Sequence, residues 1–215
     1  MSDKELNIKS STIEKGLDLA KDFLGKLIFP AVEEVGLLMA DNIKVWRFKN
    51  QIRLLNNVEK YVTEKNISTK KVPLKVLLPL LENASLEEGE NIIKLWESLL
   101  LNYIDSSKSF TSAVFPKILA EINSVEATFL KNHTTIFDAV YKEKRICEYI
   151  EIQTSKYKIS KAEISNLMRL GILEEIKTYY QLNNKLGQPD GFVEEGEFYL
   201  SITDLGEEFI IACNL

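Results

Sequence analysis

Apolar residues recur every three or four positions through most of this chain, and that period is what most limits how it can fold. From Thr12 they fall at Ile13, Leu17, Ala20, Leu24 and the Leu27/Ile28 pair, with Glu14, Lys15, Asp18, Lys21 and Asp22 elsewhere. Such spacing draws one apolar stripe along a helix. Pro30 should end or kink it, because proline has no amide donor and clashes with the preceding turn. A second run from about Ala31 carries Val32, Val35, Met39, Ile43 and Trp46, then drifts to Phe48, Ile52, Leu55, Val58 and Val62. Drift of that kind accompanies a change of packing partner along a long helix.

The middle of the chain continues in the same period. Pro73 suits the first turn of a short helix over 73–82, where its missing N–H costs nothing. Ser85-Leu-Glu-Glu88 has capping-box spacing. It is expected to open a helix that carries Ile92, Leu95, Trp96, Leu99, Leu100 and Tyr103 on one face. A further helix is predicted over 116–122, and another from Ser124. Residues 124–153 read as helical throughout, with Phe129, Ile136, Phe137, Val140, Cys147 and Ile150 as core.

The texture then changes. Ser160 or Lys161 opens a helix through Leu170, and Gly171 is placed to cap it. Ile172 to Leu182 is rich in β-branched and aromatic residues, as a strand would be. A polar loop, Asn183 to Gly196, contains Pro-Asp-Gly, and Glu197 to Ile202 reads as the return strand. Thr203 caps a last helix reaching Cys213. Helix, glycine, strand, long loop, strand, helix is the order of a winged helix. The expected fold is mainly α: a helical N-terminal and central region followed by a winged-helix-like α+β segment. Three segments are expected: the long amphipathic helices of 1–66, a central helical region at 67–123, and the winged-helix-like 124–215.

Charge narrows the partners. The 215 residues carry a net charge of −5, with a pI near 5.2, which opposes a generic nucleic-acid binder that works by neutralising phosphates. Cys147 and Cys213 lie far apart and form no metal-ligand spacing, so a reducing, cytoplasmic setting is expected. The opening Met1-Ser-Asp-Lys-Glu-Leu lacks the basic-then-apolar pattern of a signal peptide. Phe23 to Ala40 is the most apolar early stretch. Lys26, Pro30, Glu33 and Glu34 interrupt it, so it falls short of the roughly 20 nearly uncharged residues that span a bilayer.

At residues 72–105 the pair Pro73 and Pro79, the acidic Ser85-Leu-Glu-Glu start, and Trp96 followed by Leu99-Leu100 resemble the Abi-alpha family. These are bacterial proteins associated with abortive infection. The resemblance extends upstream through Arg47-Phe-Lys-Asn-Gln. Downstream it includes Leu167-Met-Arg-Leu-Gly-Ile-Leu, then Ile202-Thr-Asp-Leu-Gly-Glu-Glu-Phe209 and Cys213, and so covers most of the chain from about residue 40. It implies a role in defence against phage. The family brings no agreed catalytic residues, and none is carried over.

The residues themselves present no catalytic set. His133, the one histidine, sits on the charged helix end Leu130-Lys-Asn-His-Thr-Thr, which suits a surface or capping role. Glu87/Glu88/Glu90 read as favourable charge at a helix start, and Glu194/Glu195/Glu197 as a solvated loop. No Walker-type or Gly-x-Gly-x-x-Gly loop is present. No cofactor, metal or small-molecule substrate is expected. Lys44, Arg47, Lys49 and Arg53, a basic stretch, flank the Trp46/Phe48 stripe instead of forming one patch.

Two surfaces remain as candidates. The helix from Lys161 would be a recognition helix, with Lys161, Ser165, Asn166 and Arg169 as contacts to nucleic acid. Residues 155–215 hold six basic and ten acidic side chains, three of the acids on the wing, which favours a protein partner over DNA. The N-terminal stripe Leu17, Leu24, Ile28, Val35, Met39 and Trp46 is the second candidate, as an oligomer or partner seam or as a membrane-lying face. The leading expectation is a non-enzymatic interaction protein that works through a protein partner or self-association. A winged-helix DNA-binding regulator and a membrane-active helical effector are the alternatives.

Overall fold

A computed structural model describes residues 11–27, 45–137, 139–141, 144–148, 159–177 and 198–215. Contacts divide the chain into two units, Met1–Glu121 with Ala212–Asn214, and Ile122–Ile211 with Leu215.

The first unit is built from helices α1 (Ser11–Leu27), α2 (Val45–Glu64), α3 (Leu74–Ala84), α4 (Glu90–Ile104) and α5 (Phe115–Glu121). The period read from the sequence turns one face of each inward. α1 buries Ala20, Phe23, Leu24 and Leu27, and packs on α2, which buries Gln51, Leu54, Leu55 and Val58. Gly16 allows close approach, since a Cβ there would stand 3.4 Å from Asn56 Nδ2, and that amide donates to the Gly16 carbonyl at 3.3 Å. α4 buries Ile92, Trp96, Leu99, Leu100, Tyr103 and Ile104. Each such side chain, fully buried, adds roughly 1.5–3 kcal/mol, so this face anchors the unit. α2 also packs on α3 and α4, which joins the first two expected segments within this unit.

One expectation fails here. Ser85 does not open α4. It is the C-cap of α3, its hydroxyl donating to the Glu82 carbonyl at 2.6 Å. α4 begins after Gly89 with no side-chain cap. The reason is tertiary: Ser85 is fully buried, and α2 holds it through Arg47 Nε to Ser85 Oγ and Asn50 Nδ2 to the Ser85 carbonyl. The capping-box spacing was real, but these partners from another helix decide its use.

The second unit contains α6 (Ser124–Lys131), α7 (His133–Ile136), β1 (Ala139–Tyr141), β2 (Lys144–Glu148), α8 (Lys161–Arg169), β3 (Leu173–Lys177), β4 (Phe198–Ile202) and α9 (Asp204–Cys213). The last two residues of α9 count with the first unit. The strands form one antiparallel sheet in the order β1-β2-β4-β3. β3 and β4 pair from Leu173↔Ile202 to Lys177↔Phe198, and β2 pairs β4 through Ile146↔Ser201.

Residues 124–153 are therefore not helical throughout, since β1 and β2 lie within them. Short apolar runs do not declare helix or strand by period alone, and here the free edge of β4 takes up Ile146–Glu148. The C-terminal order matches expectation. Ser160 and Glu163 form a capping box that opens α8, and Gly171 ends it at φ 74, a left-handed conformation that glycine adopts without strain. Thr203 Oγ1 accepts the Gly206 N–H at 2.9 Å, capping α9. Helix α8, Gly171, strands β3 and β4, and helix α9 make the winged-helix-like segment. The expected wing, 183–196, lies outside the described residues.

Candidate interaction surfaces

The α8 candidate is positioned from its inner side. Ile164 and Leu167 are buried, which turns Lys161, Ser165 and Arg169 outward as an exposed stripe at four-residue spacing. Asn166 does not join them. Its amide nitrogen donates to Glu126 Oε1 at 2.8 Å, and its oxygen accepts from Arg169 Nη2 at 2.7 Å and Nε at 3.2 Å. Glu126 is 1% exposed, and its second oxygen accepts the Asn123 backbone N–H at 2.7 Å.

That carboxylate belongs to a capping box of its own, with Asn123 as N-cap of α6. The two boxes are linked, because Asn123 Nδ2 also donates to Glu163 Oε1 at 3.3 Å. Asn166 is thus a fastener between two helix starts. The sequence signal for half of this arrangement, Asn123-Ser-Val-Glu126, has the cap-to-N3 spacing and lies one residue before the expected start at Ser124.

The N-terminal candidate divides. Leu24 is buried in the helical unit beside Phe23 and Leu27. Ile28, Val35 and Met39, and the side chains of Leu17 and Trp46, lie outside the described residues. No described helix is long and apolar enough to cross a membrane.

The structure brings together two stretches that carried the family resemblance. Arg47, Asn50 and Gln51 of α2 reach the end of α3 and the following loop: Arg47 to Ser85, Asn50 to the Ser85 and Glu87 carbonyls, and Gln51 to the Leu81 carbonyl. Arg47 at the C-terminus of α3 is favourably placed for the helix dipole. Beside them, Asn50, Arg53, Leu54, Ala84, Ile93 and Trp96 line a small cleft. Its enclosed part has room for about one water. Gln51 Oε1 is buried without a hydrogen-bond partner in the structure, and Trp96 Nε1 is buried near the Glu87 carboxyl but outside ordinary hydrogen-bond geometry. Burial raises the Glu87 carboxyl above its ordinary range, and the neighbouring indole of Trp96 draws it part of the way back.

Groups with chemical potential elsewhere are held in structure. His133 is half-buried, with Nδ1 2.8 Å from the Leu130 carbonyl oxygen. Cys213 is buried, which pushes its thiol far above the ordinary range. Among the described residues no three His, Cys, Asp or Glu side chains cluster as metal ligands.

Comparison with protein families gives one match, the abortive infection alpha model, over residues 42–213. The chain belongs to that family. The match contains α2 through α9, so the Arg47–Ser85 contact, the Glu126–Asn166 contact and the winged-helix-like segment are all parts of an Abi-alpha chain. No curated protein and no solved structure matched.

Proposed function

We propose that this Abi-alpha protein is a non-enzymatic, cytoplasmic component of abortive infection that acts through protein contacts, with the outer stripe of α8 as its contact surface. Membership of the family supplies the link to abortive infection. The observation that carries the mode of action is the engagement of Asn166 by Glu126 and Arg169. Asparagine reads adenine by offering a free side-chain amide to the base edge, and this amide is occupied on both sides. What remains outward is Lys161, Ser165 and Arg169, next to a sequence segment with more acids than bases. Such a surface suits an acidic or mixed protein face better than a phosphate backbone.

The reading is tested by a mobility-shift titration with duplex DNA at low salt, alongside phage challenge of cells that carry Lys161→Glu with Arg169→Glu. The expected result is no shift at any duplex concentration and loss of protection in the variant, with its thermal unfolding unchanged. A duplex shift that the same substitutions abolish would replace this reading with the DNA-binding regulator.

A further inference from the structure

Helices α8 and α9 present opposite charge on their outer faces. Lys161, Ala162, Ser165 and Arg169 are exposed on α8, and its one acid, Glu163, is turned into the capping box with Ser160. α9 has no basic side chain. Its exposed residues are Asp204, Glu207, Glu208 and Ile211. At about 100° per residue these four share one arc of the helix. Among the described residues Lys161, Asp204, Glu207 and Glu208 take part in no salt bridge. Arg169 holds Asn166 Oδ1 through Nη2 and Nε, which fixes it at the other end of the α8 stripe.

Acids at a helix start are favoured by the helix dipole, and that accounts for Asp204 and Glu207. It does not account for Ile211, which at 63% exposure is the most exposed of the large apolar side chains among the described residues. An acidic face that ends in a bare isoleucine gains by being covered.

The fold sets the two faces around one corner. Thr203 Oγ1 donates to the Gly171 carbonyl, and the Thr203 N–H to the Ile172 carbonyl at 3.0 Å, so the end of α8 meets the start of α9. From that corner the basic stripe runs back to Lys161 over about 12 Å, and the acidic one runs on to Ile211 over about 10 Å. A surface that is basic on one side of a corner and acidic on the other is self-complementary under a two-fold rotation, with both contacts made at once.

The geometry points to a second copy of this chain as the partner of the α8 stripe: α8 of each protomer lies on α9 of the other. This rests on the reading of α8 as a protein-contact face. Measured from the corner, Arg169 meets Asp204, Ser165 comes level with Glu207 and Glu208, and Lys161 with Ala162 reaches Ile211. The small Ala162 and the methylene stem of Lys161 cover Ile211, while the Lys161 ammonium extends toward Glu208. Attraction of this kind weakens with salt.

The test is analytical ultracentrifugation of the full chain over a concentration series at low and high salt. One variant carries Lys161→Glu with Arg169→Glu, another Glu207→Lys with Glu208→Lys, and a third sample is their equimolar mixture. The wild type is expected to dimerise, less tightly in high salt. Each variant alone should dimerise at least about tenfold more weakly, because like charges then face each other. The mixture should regain the dimer, since the reversed α8 of one variant meets the reversed α9 of the other, which a misfolded variant could not do. Ile211→Ser should weaken the wild-type dimer as well. A wild-type chain that stays monomeric at every concentration, a dimer indifferent to both reversals, or a mixture that remains monomeric would overturn the proposal. If the wild type is monomeric and Lys161→Glu with Arg169→Glu still abolishes phage protection, α8 keeps its role and its partner is a different protein. A dimer lost in that variant without loss of protection would keep the interface and remove the functional reading instead.

Discussion

The side-chain amide of Asn166 donates to Glu126 Oε1 at 2.8 Å across forty residues of sequence. Glu126 is almost fully buried and accepts the Asn123 N–H with its other oxygen, so one carboxylate closes the start of α6 and fastens α8 to it. Removing it leaves two donors without an acceptor. Each such loss costs about 1–3 kcal/mol, and Glu126→Ala should lower stability by about 2–4 kcal/mol in urea unfolding. Asn166→Ala should cost less, and the double variant should fall short of the sum by at least about 0.5 kcal/mol, as contacting residues do. Strict additivity would show that the contact contributes nothing.

Two glycines should respond in opposite directions to alanine. At Gly206 a Cβ would stand 2.4 Å from the Ile172 carbonyl oxygen and 2.9 Å from Ile202 Cγ2, so α9 or the start of β3 must shift. Gly206→Ala should destabilise by about 1–3 kcal/mol, the range for forced overpacking. Gly25 lies within α1 with nothing inside 4 Å of its would-be Cβ. Gly25→Ala should stabilise by about 0.5–1 kcal/mol through helix propensity. Thermal melts of the two variants check both signs.

Stability should fall on the alkaline side. Burial raises the Cys213 thiol above its ordinary 9.0 and the Tyr103 hydroxyl above its ordinary 10.0. The folded chain therefore keeps protons that the unfolded chain releases. This contribution is fully present below about pH 9 and is lost as pH rises toward the folded values. Urea midpoints measured between pH 8 and pH 11 should decline progressively. In the folded protein, Cys213 should resist alkylation at pH 8, read by peptide mass, and react on unfolding. Rapid alkylation of Cys213 in the native protein would contradict its burial.

The helical period carried most of this fold. The buried faces of α1 and α4 appear in the sequence at the spacing the structure uses, as do the stop at Gly171 and the cap at Thr203. What was illegible depended on partners distant in sequence. Ser85 had the spacing of a helix start and became a helix end because Arg47 and Asn50 hold it. Residues 139–141 and 144–148 became strands because β4 had an edge to offer. Of the four α8 candidates, Lys161, Ser165 and Arg169 share an exposed stripe, whereas Asn166 is engaged by Glu126, which no local pattern announces.

The central claim, an interaction protein of abortive infection, is tested most directly by phage dose. Cells with and without the gene are infected over a range of multiplicities, and both plaque number and culture survival are scored. The account predicts fewer plaques and a surviving culture at low dose, with collapse of the culture at high dose. Both effects should disappear in the Lys161→Glu, Arg169→Glu variant. Equal plaque numbers with and without the gene across a broad phage panel would contradict it.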